Sequence, residues 1–214
     1  MYGAWLRSYP SFTLTKRLNA EERRETIIKV AKRLFAHKGF HGVSIDEIVK
    51  TVGVSPSILY RHFKSKEELY DAVLHEFSCT RESYVETVVN EDIGFEHMLR
   101  GMTRVFVASI VNQPDLLKME MHSFLEGNAA TSDFFLNRWK SFTDYIEYNL
   151  GELMAQGKIA PINVQAAALM YQAMIREVLL LKCLQPNARF KDTAIETLVD
   201  ELITLFMKTI NFKK

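Results

Sequence analysis

The stretch Ser44–Leu69, SIDEIVKTVGVSPSILYRHFKSKEEL, constrains the fold of this chain more than any other. It contains two short apolar faces at helical spacing, one in Ile45–Val49 and one in Ile58–Phe63. Gly53 lies in the turn between them and supplies the positive φ that other residues adopt only with strain. Two short helices joined by a tight turn that contains glycine form the helix-turn-helix pattern.

Helix-start signals agree with this division. Ser44 is expected to cap the first helix, with Glu47 completing a capping box. Ser55 is expected to cap the second, with Pro56 at the first helical position, where its missing N–H costs nothing. Ser65 is expected to cap a third helix, with Glu68 three residues later as in a capping box. Three helix starts and one turn therefore agree within a short segment.

An amphipathic helix precedes this segment. Residues 20–38 place apolar side chains at helical spacing, Asn19 can cap the helix, and Gly39 ends it. We expect this helix to carry Phe35 against the two short helices and Phe40 to close the small core. The result is a three-helix unit.

The same residues carry a family resemblance. The run from Gly53 to Leu69 resembles the DNA-binding domain of the TetR family of transcriptional regulators; the matching motifs are Gly53-Val54-Ser55, Leu59-Tyr60-Arg61-His62-Phe63 and Ser65-Lys66-Glu67-Glu68-Leu69. The resemblance in sequence motifs covers residues 20–70. The remainder of the chain resembles the family only in size and helical content. It implies a helix-turn-helix domain over residues 19–66 and a C-terminal ligand-binding and dimerisation domain over residues 67–214. The family often has glycine at the position of Ser57 and threonine near Ile58, so we expect a groove or phosphate contact to be missing or altered here.

The rest of the chain is predicted to be helical. The helix from Lys66 is expected to run towards Val85 and Val88, and no strand-like alternation or hairpin signal follows. We predict an all-α fold of about nine helices. The later predicted helices are 95–111, 115–126, 132–155, 162–184 and 190–211.

Charge is distributed unevenly along the chain. Residues 1–70 hold 13 Lys/Arg and 7 Asp/Glu, whereas residues 71–214 hold 14 and 19. A basic first third is expected where only one end of a protein meets nucleic acid. Residues 1–18 are predicted to be a flexible leader; the alternative is an arm that places Lys16 and Arg17 in a minor groove. The leader lacks a signal-peptide core, so no membrane partner is expected. Cys79 and Cys183 give no disulfide framework, which favours a cytoplasmic protein.

The candidate DNA-binding residues lie in and around the second short helix, whose exposed side chains include Pro56, Ser57 and Arg61. Arg61 is the one among them able to make a bidentate contact to guanine. By the resemblance, Tyr60, Lys66 and the Ser44 hydroxyl contact backbone phosphates. The alternative is that Tyr60 and His62 only pack and Arg61 is a solvated charge. The full set is Ser44, Ser55, Pro56, Ser57, Tyr60, Arg61, His62 and Lys66.

A ligand site is predicted in the C-terminal domain, where methionine and aromatic residues are frequent and can line an adaptable cavity or form ordinary core. Arg176 interrupts an apolar run and needs a partner, either a ligand carboxylate or a salt bridge across a dimer; snorkelling to water is the third interpretation. The predicted apolar wall is Met98, Met102, Phe106, Met121, Phe142 and Tyr145, and the predicted polar contacts are His122, Asn149 and Arg176.

Other classes of function find little support. His37 and His41 have i,i+4 spacing, but Gly39 lies between them, and no cysteine or carboxylate cluster has ligand spacing. No nucleophile elbow, P-loop or dinucleotide fingerprint is present, so neither an enzyme nor a cofactor is expected. We predict a homodimeric regulator, usually a repressor, that leaves its double-stranded DNA operator when a small molecule binds. The alternative is a helical ligand-binding or scaffolding protein without operator binding.

Overall fold

The computed structural model describes residues 19–78, 94–127, 129–185 and 190–212, leaving aside the side chains of 78 and 129–132. The predictions for the leader and for Val85 and Val88 lie outside these residues. The described residues form nine α-helices and no strand, which confirms the all-α prediction. The helices are α1 (Ala20–Lys38), α2 (Ile45–Val52), α3 (Pro56–His62), α4 (Lys66–Ser78), α5 (Phe95–Val111), α6 (Pro114–Glu126), α7 (Ala129–Ala155), α8 (Val164–Leu184) and α9 (Ile195–Thr209).

The chain divides into two compact units, Met1–Ser78 and Cys79–Lys214. In the first unit, α1 packs against both α2 and α4. Phe35 is fully buried on α1, and its ring lies 4.8 Å from that of Tyr70 on α4. Phe40 is 7% exposed and meets the ring of Tyr70 edge to face at 5.2 Å, so it closes this core as predicted.

The ends of α1 follow from its sequence. Asn19 accepts a hydrogen bond from the Glu22 N–H, while the Glu22 carboxylate accepts one from the Asn19 N–H, each at 2.8 Å. This reciprocal capping box satisfies donors that the first turn leaves free. Gly39 ends the helix with φ 74°, and its N–H donates to the Phe35 carbonyl.

Several helices of the second unit begin at residues other than those predicted. Pro114, predicted to lie in the break before α6, occupies the first turn of that helix, where it needs no N–H partner. α7 begins at Ala129 rather than 132. α8 begins at Val164 rather than 162, because Asn163 caps it by accepting from the Ala166 N–H at 3.0 Å.

The last helix begins at Ile195, five residues after the predicted start at 190. The Lys182 ammonium on α8 donates to the carbonyls of Phe190 and Thr193 and holds this segment as a turn. The Phe190 carbonyl also accepts from the Thr193 N–H at 3.1 Å, so this segment closes as a turn before α9 begins.

The core of the second unit lies between α5, α7, α8 and α9. Phe106 and Phe142 stack with their ring centroids 5.0 Å apart, and Tyr171 is fully buried beside Phe142. The Tyr171 hydroxyl shares a 2.7 Å hydrogen bond with Thr103, which in turn donates to the Leu99 carbonyl. Both buried hydroxyl groups are therefore satisfied.

α8 is long and apolar enough to cross a membrane by length and composition, and 33% of its apolar window is buried inside the protein. A single such helix is weak evidence for a span, since core helices pass the same test. Part of its exposed surface is apolar, including Leu169 and Met170.

Candidate functional site

α2 and the following turn form the first half of the helix-turn-helix. The Ser44 hydroxyl accepts from the Glu47 N–H at 3.1 Å, so the predicted cap is present. The predicted capping box is wrong, because the Glu47 carboxylate pairs with the Lys38 ammonium on α1 instead. Gly53 takes φ 79° in the left-handed region, as the turn requires.

α3 begins at Pro56, and Ser55 occupies its N-cap position. The predicted side-chain cap is wrong, because the Ser55 hydroxyl makes no cap bond and lies 2.8 Å from the Ser57 hydroxyl. The backbone compensates, since the Ser55 carbonyl accepts from the N–H groups of Ile58 and Leu59. Proline at the first position also removes one of the four backbone donors that the first turn leaves free.

α3 divides cleanly into a buried face and an exposed face. Leu59 is fully buried and Phe63 is 1% exposed, so these two side chains anchor the helix to the unit. Tyr60 is 51% exposed, and Arg61 is exposed as well. Pro56 and Ser57 are also exposed, whereas His62 is half-buried. The predicted contact residues on α3 are thus exposed, except His62.

Lys66 lies at the start of α4, but its ammonium points inward. It donates to the Phe40 carbonyl at 2.9 Å and to the Val43 carbonyl at 3.0 Å. It also lies 4.2 Å from the centroid of the Phe40 ring. The structure therefore places this predicted phosphate ligand in bonds within its own unit. The Ser65 cap of α4 is present, accepting from the Glu68 N–H at 3.2 Å.

Sequence reasoning missed one basic residue beside α3. The Arg24 guanidinium on α1 lies 5.2 Å from the centroid of the Phe63 ring, at the end of the helix. Such cation–π contacts stabilise by roughly 0.5–1 kcal/mol where partly exposed. The separation of 39 residues leaves no local signal from which this contact could be found.

The predicted apolar wall of the ligand site lies largely in the core of the second unit. Met102, Phe106 and Phe142 are buried, with Phe106 stacked on Phe142. Met121 and His122 are half-buried on α6. The predicted ligand site remains a prediction.

Three of the predicted ligand residues do come together. The Tyr145 hydroxyl donates to the Met98 sulfur, and the Asn149 amide donates to the Tyr145 carbonyl at 2.8 Å. Burial raises the pKa of the Tyr145 hydroxyl, although a hydrogen bond with Asn149 opposes the shift. This cluster of α5 and α7 residues is only partly buried, so a polar group remains accessible beside apolar side chains.

Arg176 has a partner that the sequence did not indicate. Its guanidinium lies 3.3 Å from the carboxylate of Glu120 on α6, within the same chain, so none of the three predicted partners is the one observed. Glu120 is 2% exposed and also accepts from the Trp139 indole N–H at 3.0 Å. Burial raises the pKa of Glu120, with the positive charge of Arg176 opposing it. Among the described side chains, the Arg176 Nε is buried without a hydrogen-bond partner.

A groove of about 1050 Å³ lies elsewhere in the second unit, and none of the nine predicted ligand residues lines it. Its walls are Glu96, Gly157, Ile159, Ala160, Thr204, Met207, Lys208, Asn211 and Phe212. Across the described residues, no group of three or more His, Cys, Asp or Glu side chains is placed to hold a metal ion.

These features define a class of protein, namely a helix-turn-helix module joined to an all-helical second unit. Comparison with known families identifies it further. Residues 27–73 match the family described as "Bacterial regulatory proteins, tetR family". The match lies within the first unit, so the chain resembles this family over its helix-turn-helix region.

Individual relatives with matching sequence are named as helix-turn-helix transcriptional regulators. The HTH-type transcriptional activator FasR of Mycolicibacterium smegmatis is 36% identical over 90 residues, which span 42% of this chain and 41% of FasR. The HTH-type transcriptional regulator UidR of Escherichia coli strain K12 is 25% identical over 154 residues, 66% of this chain and 71% of UidR. The crystal structure of AibR with isovaleryl coenzyme A and operator DNA matches 90% of this chain and 100% of AibR, with a TM-score of 0.65 and 23% identity. This last likeness concerns the fold.

Proposed function

We propose that this protein binds a two-fold symmetric DNA operator as a homodimer, represses transcription there, and is released by a small molecule. The observation that carries the proposal is the division of α3, which buries Leu59 and presents Ser57, Tyr60 and Arg61 to solvent. A helix anchored on one face and polar on the other can enter a major groove without disturbing its own core.

Within this proposal Arg61 reads bases. Its guanidinium has the fork geometry that binds both acceptors of guanine in the major groove. Tyr60 and Ser44 provide hydroxyl groups for backbone phosphates, which position the helix without specifying sequence. The exposed positions of Tyr60 and Ser44 support this role.

The test is selection of DNA by the pure protein from a random pool. We expect a palindromic site, and we expect Arg61→Ala to relax base preference at one position per half-site, by about 1–3 kcal/mol. Lys64→Ala is the matched control, because Lys64 is an exposed cation just after α3 and is assigned no role in reading bases within this proposal. An Arg61→Ala protein that selects the parental sequence would show that Arg61 does not read bases.

Assembly is supported by the exposed face of α8. Ala166, Leu169, Met170 and Ala173 follow one another at helical spacing and are all exposed, and Leu205 on α9 is 55% exposed. Two such helices from each of two chains can form a four-helix interface with two-fold symmetry. A two-fold dimer would also set its recognition helices about 34–36 Å apart, one turn of DNA. The apolar length of α8 is then interface rather than membrane span.

Dimerisation is tested by light scattering at micromolar concentration. We expect the parent to be a dimer and Leu169→Asp to be a monomer, because a buried carboxylate in an apolar interface lacks a partner. Leu136→Asp on α7 is the control, since Leu136 is also about half exposed and lies outside the proposed interface. A monomeric parent would remove the dimer from the proposal.

The effector is proposed to be a small, mostly apolar molecule with one acceptor group. The partly buried cluster of Met98, Tyr145 and Asn149 and the unsatisfied Nε of Arg176 support this chemistry. An acceptor placed at that Nε would supply the missing hydrogen bond. The structure of AibR bearing isovaleryl coenzyme A together with operator DNA is consistent with an acyl compound as effector in this fold.

The effector is tested with a panel of short-chain acids and acyl thioesters. Each compound is added to the protein bound to its selected operator, and release is followed by fluorescence anisotropy. A true effector must bind the free and DNA-bound states with different affinities, since otherwise it shifts nothing. If a compound binds tightly without altering operator affinity, the protein is a helical ligand-binding protein rather than a regulator released by that compound. A reporter gene downstream of the operator decides between repression and activation.

A further inference from the structure

The groove of the second unit is lined by residues from the start of α5, from the α7–α8 connection, and from the C-terminal half of α9 with the residues after it. None of the residues proposed for the effector lines this groove, so it is a separate site. Its volume of about 1050 Å³ matches the upper end of the range for small-molecule sites, about 300–1,000 Å³. We propose that the groove binds an amphipathic carboxylate, namely an unbranched apolar chain that ends in one carboxylate group.

The apolar side chains of the groove suit the chain of this ligand. Ile159 and Met207 line the groove and are nearly fully buried. Phe212 lines it too, and its N–H donates to the Met207 carbonyl at 3.1 Å. The Phe212 ring also lies 6.0 Å from the ring of Phe95. These contacts hold Phe212 in place before a ligand arrives, so little ordering is needed on binding.

The polar residues of the groove suit the carboxylate. Glu96 lines the groove, but the Arg100 guanidinium lies 2.9 Å from its carboxylate and balances its charge. Lys208, in the last turn of α9, also lines the groove and has no ion-pair partner among the described residues. Asn211 follows it and adds an amide. An ammonium and an amide together can donate hydrogen bonds to one carboxylate.

The chain and the carboxylate of the ligand contribute differently to its affinity. Each methylene that is fully buried tightens binding about fourfold, so the length of the chain sets the strength of binding. An ion pair with Lys208, which is exposed, is screened by water and adds at most about fivefold. The charge of Lys208 therefore orients the ligand more than it tightens it. The same charge repels cationic ligands, so the site favours anions.

The test is calorimetric titration of the full-length protein with sodium octanoate and sodium decanoate, each below its micelle concentration. We expect one site per chain, with decanoate binding about 4- to 16-fold more tightly than octanoate, since it has two more methylenes to half-bury or fully bury. Lys208→Glu is expected to weaken decanoate binding about tenfold, because it replaces attraction by repulsion. Neutral 1-octanol has no charge to be repelled, so its affinity for this variant is expected to stay within about twofold of the parent.

Two substitutions control for charge and for location. Lys158 is exposed and precedes Ile159 without lining the groove, so Lys158→Glu changes the net charge equally but is expected to alter decanoate affinity by less than about twofold. Ala160 is exposed and lines the groove. Ala160→Trp fills part of the groove and is expected to weaken both decanoate and 1-octanol by about tenfold or more, since at least two methylenes lose their place. Should that variant fail to fold, Ala160→Leu is expected to weaken both by about fourfold.

Methyl NMR locates the ligand independently of its affinity. Met207 lines the groove, whereas Met98 belongs to the cluster proposed for the effector. We expect decanoate to shift the methyl signal of Met207 and not that of Met98, with each signal assigned by substitution with leucine. A shift at Met98 without one at Met207 would place the ligand at the effector cluster and overturn the groove site.

Three results of the titrations would also overturn the proposal. Decanoate fails to bind the parent, or it binds Lys208→Glu as tightly as the parent, or it binds the folded Ala160 variants as tightly as the parent. These measurements use no DNA. A protein that binds decanoate in the groove but selects no operator would therefore support this site and contradict only the proposed function.

Discussion

Replacing Arg176 by methionine would leave a carboxylate buried without its cation. Glu120 is 2% exposed, and its two described partners are the Arg176 guanidinium at 3.3 Å and the Trp139 indole at 3.0 Å. Removing one partner of a buried ion pair costs roughly 3–5 kcal/mol. The Arg176 side chain is 28% exposed, so solvent already screens part of the pair. We therefore expect a decrease of about 2–3 kcal/mol in the free energy of unfolding at pH 8.

The expected decrease depends on pH. Because the pKa of Glu120 is raised in the folded protein, the folded state holds a proton more readily than the unfolded state. Stability is then greatest below the unfolded pKa and falls as pH rises towards the folded pKa. Arg176→Met is expected to raise the folded pKa of Glu120 further, so the variant keeps losing stability up to a higher pH than the parent. Between the two folded pKa values, the destabilisation caused by the substitution grows by about 1.4 kcal/mol per pH unit.

The assay is urea unfolding between pH 5 and pH 8, followed by the fluorescence of Trp139 in a Trp5→Phe background. Trp139 donates to Glu120 and reports directly on this part of the second unit. Arg104→Met is the matched control, because Arg104 pairs with Asp200 at 2.9 Å but is 57% exposed. It should change stability by at most about 1 kcal/mol at either pH. If Arg176→Met lowers the free energy of unfolding by the same amount at pH 5 and pH 8, Glu120 is not an ionised, buried partner of Arg176.

Three further substitutions test separate features. Gly53→Ala is expected to destabilise the first unit by about 1–2 kcal/mol, since alanine must adopt φ 79°; differential hydrogen exchange of α2 and α3 measures this. Tyr171→Phe is expected to cost about 1 kcal/mol in urea unfolding, because Thr103 keeps its bond to Leu99 but loses the one to the tyrosine. Lys182→Met is expected to raise proteolysis in the segment before α9, and unchanged cleavage would show that the Lys182 bonds to Phe190 and Thr193 do not order it.

Most of the helix-turn-helix could be predicted from the sequence because its signals are local. A cap such as Ser44, a glycine such as Gly53 and an apolar face such as that of α3 all act within a few residues. The same local rule fails at Ser55 and at Glu47. In each case a competing partner takes the side chain, Ser57 for the first and Lys38 for the second. Local propensity predicts which residue occupies the cap position, but not which hydrogen bond its side chain makes.

The second unit is harder to predict because its decisive contacts join distant residues. The sequence shows that Arg176 is a charge in need of a partner, yet Glu120 lies 56 positions earlier and on another helix. Lys182 similarly binds carbonyls in the segment before α9, and backbone carbonyls carry no sequence signature. A methionine and aromatic stripe likewise looks the same whether it lines a cavity or fills a core, and only packing separates the two.

The tight turn at Gly42 has an implication for interpreting variation among relatives of this chain. Gly42 is exposed, so a mutational scan that ranks surface positions by sensitivity would mark it as a contact for some partner. Its intolerance has another origin, because every other residue would drive a Cβ into the Lys38 carbonyl at 2.2 Å. Sensitivity there should extend equally to alanine and serine, whereas a residue that binds a partner usually tolerates some small replacements. In this fold, a solvent-facing position can thus be fixed by backbone sterics alone.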